Sequence, residues 1–126
     1  MYCLDTSIVV ELFIGNKIIA DRISKLNEFY IPLVVVGELY AGIYNSAQES
    51  KHLKRLREFL TLATIIEPDG QTAEQYGKIM SELRKRGRPV PTNDVWIAAS
   101  VLQYEFTLIA RDKHFKEIKN PDLKEW

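Results

Sequence analysis

Residues 1–13 read MYCLDTSIVVELF. Met1–Leu4 is short, apolar and ends at a cluster of turn-forming residues, the pattern of a buried strand. Ser7–Phe13 can form a helix, with Thr6 or Ser7 as its cap. Asp5 stands at the junction. It could cap the helix itself, or it could be a ligand set at the carboxyl end of the strand. Because Thr6 and Ser7 are also good caps, the cap does not require the aspartate.

Outward from this stretch, short apolar segments alternate with helical ones. Gly15-Asn16 breaks the first helix, and Ile18–Leu26 has helical spacing at Ile18, Ile19, Ile23 and Leu26. "FYIP" (Phe29–Pro32) reads as a second strand stopped by proline. "LVVVGELYAGIY" (Leu33–Tyr44) has three valines, but its length and its Leu39, Gly42, Ile43 spacing favour a buried helix. Ala47–Leu60 is amphipathic, and Thr64–Ile66 before "EPDG" is a short strand with a turn. Thr72–Arg86 is another amphipathic helix, stopped by Gly87. "RGRPVPTND" is a loop pinned by two prolines, and Asp94–Gln103 is an apolar helix. "FTLIA" (Phe106–Ala110) is a fourth strand, and Asp122–Trp126 could add an edge strand. Such alternation predicts an α/β fold around a parallel sheet covered on both faces. No repeat or linker interrupts it, so residues 1–126 are expected to form one domain.

The totals bound the function. The 126 residues carry 17 Lys+Arg and 17 Asp+Glu, a formal net charge of zero. No overall field therefore draws the chain to nucleic acid or membrane, and any such contact needs local clustering. Cys3 is the only cysteine. It excludes an intrachain disulfide, suits a reducing compartment and reads as a small buried hydrophobe. No stretch approaches the ~20 apolar residues that span a bilayer, and no basic segment precedes an apolar core as in a secretory signal. The expected setting is the cytoplasm.

Four acids sit where acids are unexpected. Asp5 ends the first strand, Glu38 lies inside an otherwise apolar helix, Asp94 opens the apolar run "DVWIAASVL", and Asp112 follows the fourth strand. Ligands in open parallel sheets collect beyond the carboxyl ends of the strands. Asp5 and Asp112 share one cleft if strands one and four are neighbours, and Asp94 at a helix start could face it. Glu38 is costly to bury unless its charge is paired, and no lysine or arginine lies on its helix. Each acid also has a plain structural reading: Asp94 as a cap in competition with Thr92 and Asn93, Asp112 as ordinary turn chemistry, Glu38 as a side chain reaching an edge. Gathered together, four carboxylates repel one another, and a divalent cation removes the conflict. Hard oxygen donors without a histidine or cysteine pair select Mg²⁺ or Mn²⁺ over zinc. Such an ion can activate a water and neutralise a phosphate, which is what phosphodiester hydrolysis needs. His52 and His114 lack motif spacing and are expected at the surface. Ser7 has no histidine base nearby, and no glycine-rich phosphate loop is present.

Taken in order, "LDTS", "VVVGELYAG", "TNDVWIAA" and "TLIARDKHF" resemble the PIN-domain ribonucleases, and within them the VapC-type toxins of bacterial and archaeal toxin–antitoxin pairs. The resemblance covers essentially the whole chain. It implies a three-layer α/β/α sandwich with a mostly parallel, about five-stranded sheet. It also implies Mg²⁺- or Mn²⁺-dependent cleavage of single-stranded or looped RNA. Asp5, Glu38, Asp94 and Asp112 correspond to the acidic quartet, with Asp5 and Asp94 in direct metal contact and Asp112 and Glu38 ligating through water or positioning it. Thr6 and Ser7 correspond to the polar pair after the first acid, and Asn93 to a support for Asp94. The chain departs at Ala110, where many relatives carry a hydroxyl residue. A cognate antitoxin, seated in an apolar groove, and homodimerisation are further implications.

RNA contact needs local positive charge. Arg84, Lys85, Arg86 and Arg88 form the densest cluster, and Arg111 and Lys113 flank Asp112. These six are the expected phosphate contacts. Lys51, Lys54, Arg55 and Arg57 read instead as a solvated helix face. Val9, Leu12, Phe13, Ile14, Leu39, Tyr40, Ile43 and Tyr44 supply both core and candidate groove. Competing readings are an aspartyl-phosphate protein, disfavoured by Ser7 where a second acid is expected, an RNA-processing PIN nuclease outside a toxin–antitoxin pair, and a non-catalytic PIN-like scaffold.

Overall fold

The computed structural model describes residues 1–126. The chain runs β1 (Tyr2–Leu4), α1 (Thr6–Phe13), α2 (Lys17–Ser24), β2 (Tyr30–Pro32), α3 (Leu33–Tyr44), α4 (Glu49–Leu60), β3 (Thr64–Ile66), α5 (Gly70–Arg86), α6 (Thr92–Tyr104), β4 (Thr107–Ala110), a 3₁₀ turn (Lys113–Glu117) and β5 (Asp122–Glu125). The helical reading of Leu33–Tyr44 holds despite its valines. α5 begins two residues before the expected start because Asp69 caps it, accepting from the Thr72 backbone N–H at 3.2 Å while Thr72 Oγ1 accepts from the Asp69 N–H at 2.9 Å. It ends at Gly87, whose φ of 64° lies in the left-handed region that glycine occupies without strain.

The strands form one sheet in the order β3-β2-β1-β4-β5. All four pairings are parallel. Beside β1, the register sets Tyr2, Cys3 and Leu4 against Thr107, Leu108 and Ile109. The chain builds outward from β1 to β3, then crosses back to place β4 on the other side of β1. Right-handed crossovers therefore put α1–α4 on one face and α5 and α6 on the other, giving the three layers. The reversal of direction falls between β1 and β4, the position at which open α/β sheets open a crevice at their carboxyl edge.

A core of 27 buried apolar residues fills both faces. Cys3 is fully buried, and burial pushes its thiol far above its ordinary range, so it packs as an inert hydrophobe. Phe115 is 1 % exposed and anchors the 3₁₀ turn to this core. Phe115→Ala is expected to destabilise the fold by about 3–5 kcal/mol. A denaturant midpoint shifted at constant slope is the measurement; a change well under 1 kcal/mol would show that the turn is not anchored there.

Candidate active site

The peptide after Leu4 continues the β1–β4 ladder: the Asp5 N–H donates to the Ile109 carbonyl at 3.0 Å. Asp5 itself is the N-cap of α1, correcting the expectation that Thr6 or Ser7 plays that part. Its Oδ2 accepts from the Ser7 backbone N–H at 3.4 Å and from Ser7 Oγ at 2.8 Å. Ser7 Oγ in turn accepts from the Arg111 N–H at 3.1 Å. A hydroxyl thus joins the exits of β1 and β4 although Ala110 has none. Asp5 is only 3 % exposed, and burial raises its pKa despite the hydrogen bonds from Ser7.

α3 begins at the carboxyl end of β2 and carries half-buried Glu38 inward. Thr6 spends its hydroxyl on this side chain, donating to Glu38 Oε1 at 2.9 Å. Asp94 lies in the first turn of α6, whose N-cap position is Pro91, so Asp94 is not a cap. It is buried at 8 % exposure. Its pKa is pushed up to about 7, first by burial and then by the charges of Asp112, Asp5 and Glu38; His114 works the other way. The four acids singled out from the sequence therefore feel one another across a single site. Asp112 caps the 3₁₀ turn, accepting the His114 N–H on Oδ1 at 2.9 Å.

His114 is not a surface bystander, contrary to the sequence reading. Its Nδ1 lies 2.8 Å from Asp112 Oδ1 and 3.5 Å from Asp94 Oδ2. This nitrogen is buried and lacks the alignment for a hydrogen bond with either, so it has no partner. The available signal was the spacing in "RDKHF": an acid that caps a short turn brings the side chain two residues later back beside it. His52 is half-buried in a separate groove.

A divalent cation fits this donor set. One ligand atom each from Asp94, Asp112 and His114 lie within 4.8 Å of one another. Nδ1 is a buried polar atom without a partner, and the charges of three neighbouring acids add to burial in raising the pKa of Asp94; a cation among these groups would answer both.

The family model for the PIN domain matches residues 2–121. The chain belongs to the PIN-domain family. Across its full length it is 30% identical to Ribonuclease VapC1 of Haemophilus influenzae strain R2866, covering 98% of that protein. It is 28% identical to Ribonuclease VapC2 of Rickettsia felis, again over all of this chain and 98% of the other. Among solved structures, VapBC-1 from nontypeable Haemophilus influenzae aligns with a TM-score of 0.90 at 31% identity, over 99% of this chain and 97% of that one. VapBC2 from Rickettsia felis bound to a promoter DNA fragment aligns with a TM-score of 0.91 at 28% identity, over 99% and 98%.

The cations of this PIN domain divide into free and engaged groups. Arg86 forks onto Glu82, at 2.6 and 3.0 Å, and also donates to the Glu117 carbonyl. Arg111 donates to the Trp126 carbonyl oxygen at 2.9 and 2.6 Å and pairs with Glu11 at 3.5 Å. Both guanidinium groups are committed to holding the fold. Arg84, Lys85 and Lys113 are exposed without ion pairs, and Arg88 has a loose one to Glu117 at 3.8 Å. Arg88, Lys113 and Lys116, the last paired with Glu125 at 2.5 Å, line a cleft of about 350 Å³ that contains His114 and so opens beside the acids. Lys116 was absent from the expected phosphate contacts. Asn93 is exposed and makes no side-chain hydrogen bond, so it does not support Asp94 here. No helix of this PIN domain is long and apolar enough to cross a membrane.

Proposed function

We propose that this PIN-domain chain, a single domain over 1–126, is an endoribonuclease toxin of the cytoplasm that cuts single-stranded or looped RNA with Mg²⁺ or Mn²⁺. The observation that supports this most is the convergence of Asp5, Glu38, Asp94 and Asp112 at the β1–β4 crevice, where burial first and then the charges of the other three push Asp94 up to about 7. Asp94, Asp112 and Asp5 would hold the ion, which when bound supplies charge neutralisation for the phosphate and acidifies a water. Ser7 fixes the Asp5 carboxylate, and Thr6 fixes Glu38 through Oε1. Glu38 Oε2 is then free of that bond and would take a proton from an attacking water. Arg88, Lys113 and Lys116 line the approach and bind the RNA backbone without reading its bases. Arg84 and Lys85 extend the basic approach; Arg86 and Arg111 act by holding it in place.

The test is cleavage of structured RNA by the purified chain, freed of any partner, with Mg²⁺ or Mn²⁺ and then with chelator. Cleavage that survives chelation, or that is equal in Asp94→Asn, would sink this reading. RNA bound but never cut would favour the scaffold.

The similarity to VapBC structures supports an antitoxin partner; the chain is also proposed to form a homodimer, which light scattering checks. An apolar groove of about 330 Å³ runs between α1 and α3, lined by Val10, Phe13, Ile14, Leu39 and Ile43, and reaches the site at Thr6 and Glu38. Ile14 is 72% exposed there and contributes little to the core. Ile14→Asp is expected to weaken antitoxin binding by at least tenfold while RNA cleavage stays within about twofold. Unchanged inhibition by the antitoxin would place the partner elsewhere.

A further inference from the structure

We infer that His114 Nδ1 is a nitrogen ligand of the divalent cation and gives the site a preference for Mn²⁺ over Mg²⁺. This rests on the metal-dependent reading proposed above and concerns which atoms hold the ion.

Three observations carry it. Nδ1 is buried and has no hydrogen-bond partner, an arrangement that folded proteins rarely leave unexplained. Its spacings of 2.8 Å to Asp112 Oδ1 and 3.5 Å to Asp94 Oδ2 bracket the separation of about 3 Å between neighbouring donors of a six-coordinate ion of this size. The backbone that carries the imidazole is also held in place. The His114 backbone N–H is bound to Asp112 Oδ1, and the next residue, Phe115, is locked in the core. With its proton on Nε2, the ring offers the Nδ1 lone pair to the same point as the two carboxylates. Arg88, Lys113 and Lys116 share its cleft with one further carboxylate, Glu117, which pairs with Arg88 at 3.8 Å.

Mg²⁺ takes oxygen donors and keeps its waters, whereas transition ions accept imidazole nitrogen. One nitrogen among carboxylates therefore separates two ions that an all-oxygen site would bind alike. The rival role for the ring is a resident cation that pairs with Asp94 and Asp112 and is displaced when metal enters.

Calorimetric titration of the full chain with MgCl₂ and with MnCl₂ distinguishes these. His114→Ala is expected to weaken Mn²⁺ binding by about tenfold or more while Mg²⁺ affinity stays within about twofold. Pulsed electron paramagnetic resonance of the Mn²⁺-loaded wild type is expected to show coupling to a directly bound ¹⁴N, lost in His114→Ala. That spectrum decides the matter on the wild type even if the variant folds poorly. Equal loss of both ions, tighter binding by the variant, or a spectrum without nitrogen coupling would overturn the inference alone. A wild type that binds neither ion would overturn the metal-dependent reading along with it.

Discussion

Asp5→Asn is expected to lower RNA cleavage by about 10³-fold or more and to leave the fold intact. The size follows from the several kcal/mol a metal ion contributes to a phosphoryl transition state, at 1.36 kcal/mol per tenfold in rate. Intactness follows from the local structure. Asp5 caps α1 through Oδ2, and asparagine caps a helix as well as aspartate does. The side-chain oxygen of the substituted amide can still accept from Ser7, and a buried charge is removed. Thermal unfolding in chelator should therefore show a midpoint equal to or above that of the wild type. Loss of activity together with a collapsed midpoint would show that Asp5 is needed by the fold rather than by the ion.

The second large effect is on stability and has an unusual sign. Asp94 has a folded-state pKa of about 7 against an ordinary 3.8. Between those values the folded chain holds a proton that the unfolded chain has lost, so metal-free stability should fall as pH rises from about 4 to 7. Above pH 7 the whole penalty is present. Asp94→Asn removes it, and should stabilise the metal-free protein at pH 7.5 by on the order of 2 kcal/mol, roughly 5 °C or more in Tm. Added Mn²⁺ should reverse the ranking, because the ion stabilises the wild type by mass action and the variant far less. Scanning calorimetry across pH, with and without Mn²⁺, checks both halves. A variant less stable than wild type at pH 7.5 in chelator would show that Asp94 is not held against repulsion.

Much of this site was legible in the sequence because acids stand out in apolar runs. Glu38 amid valine, leucine and tyrosine and Asp94 before "VWIAASVL" have few structural excuses, and the structure brings both to the crevice. Asp5 was legible for a partly mistaken reason. Capping and ligation looked exclusive, yet a carboxylate has two oxygens, and Oδ2 takes both hydrogens from Ser7. The cap left over for Thr6 proved unnecessary, and its hydroxyl went to Glu38. His114 was missed because its role depends on the tightness of a five-residue turn, which hydrophobic periodicity does not report and only the acid-cap spacing of "RDKHF" hints at. The cationic cluster misled in part for a similar reason. Charge density along the chain does not reveal that Arg86 is claimed by Glu82 and Arg111 by Trp126 and Glu11. Strands β1–β4 were recoverable to within a residue because each is short, largely apolar and punctuated by turn residues, whereas β5 reads DLKE and was found only as a candidate edge.

The β1–β4 junction also sets a schedule. β1 is the first strand made, yet its partner on that side is not made until residues 107–110, and the bond from the Asp5 N–H to Ile109 closes their shared edge. Asp112 and His114 come later still. A chain emerging from the ribosome can pair β1, β2 and β3 early. The acid crevice is then among the last features to assemble. For an enzyme that would cut RNA, itself translated from RNA, the acids then meet only after β4 and the turn that follows it have been made.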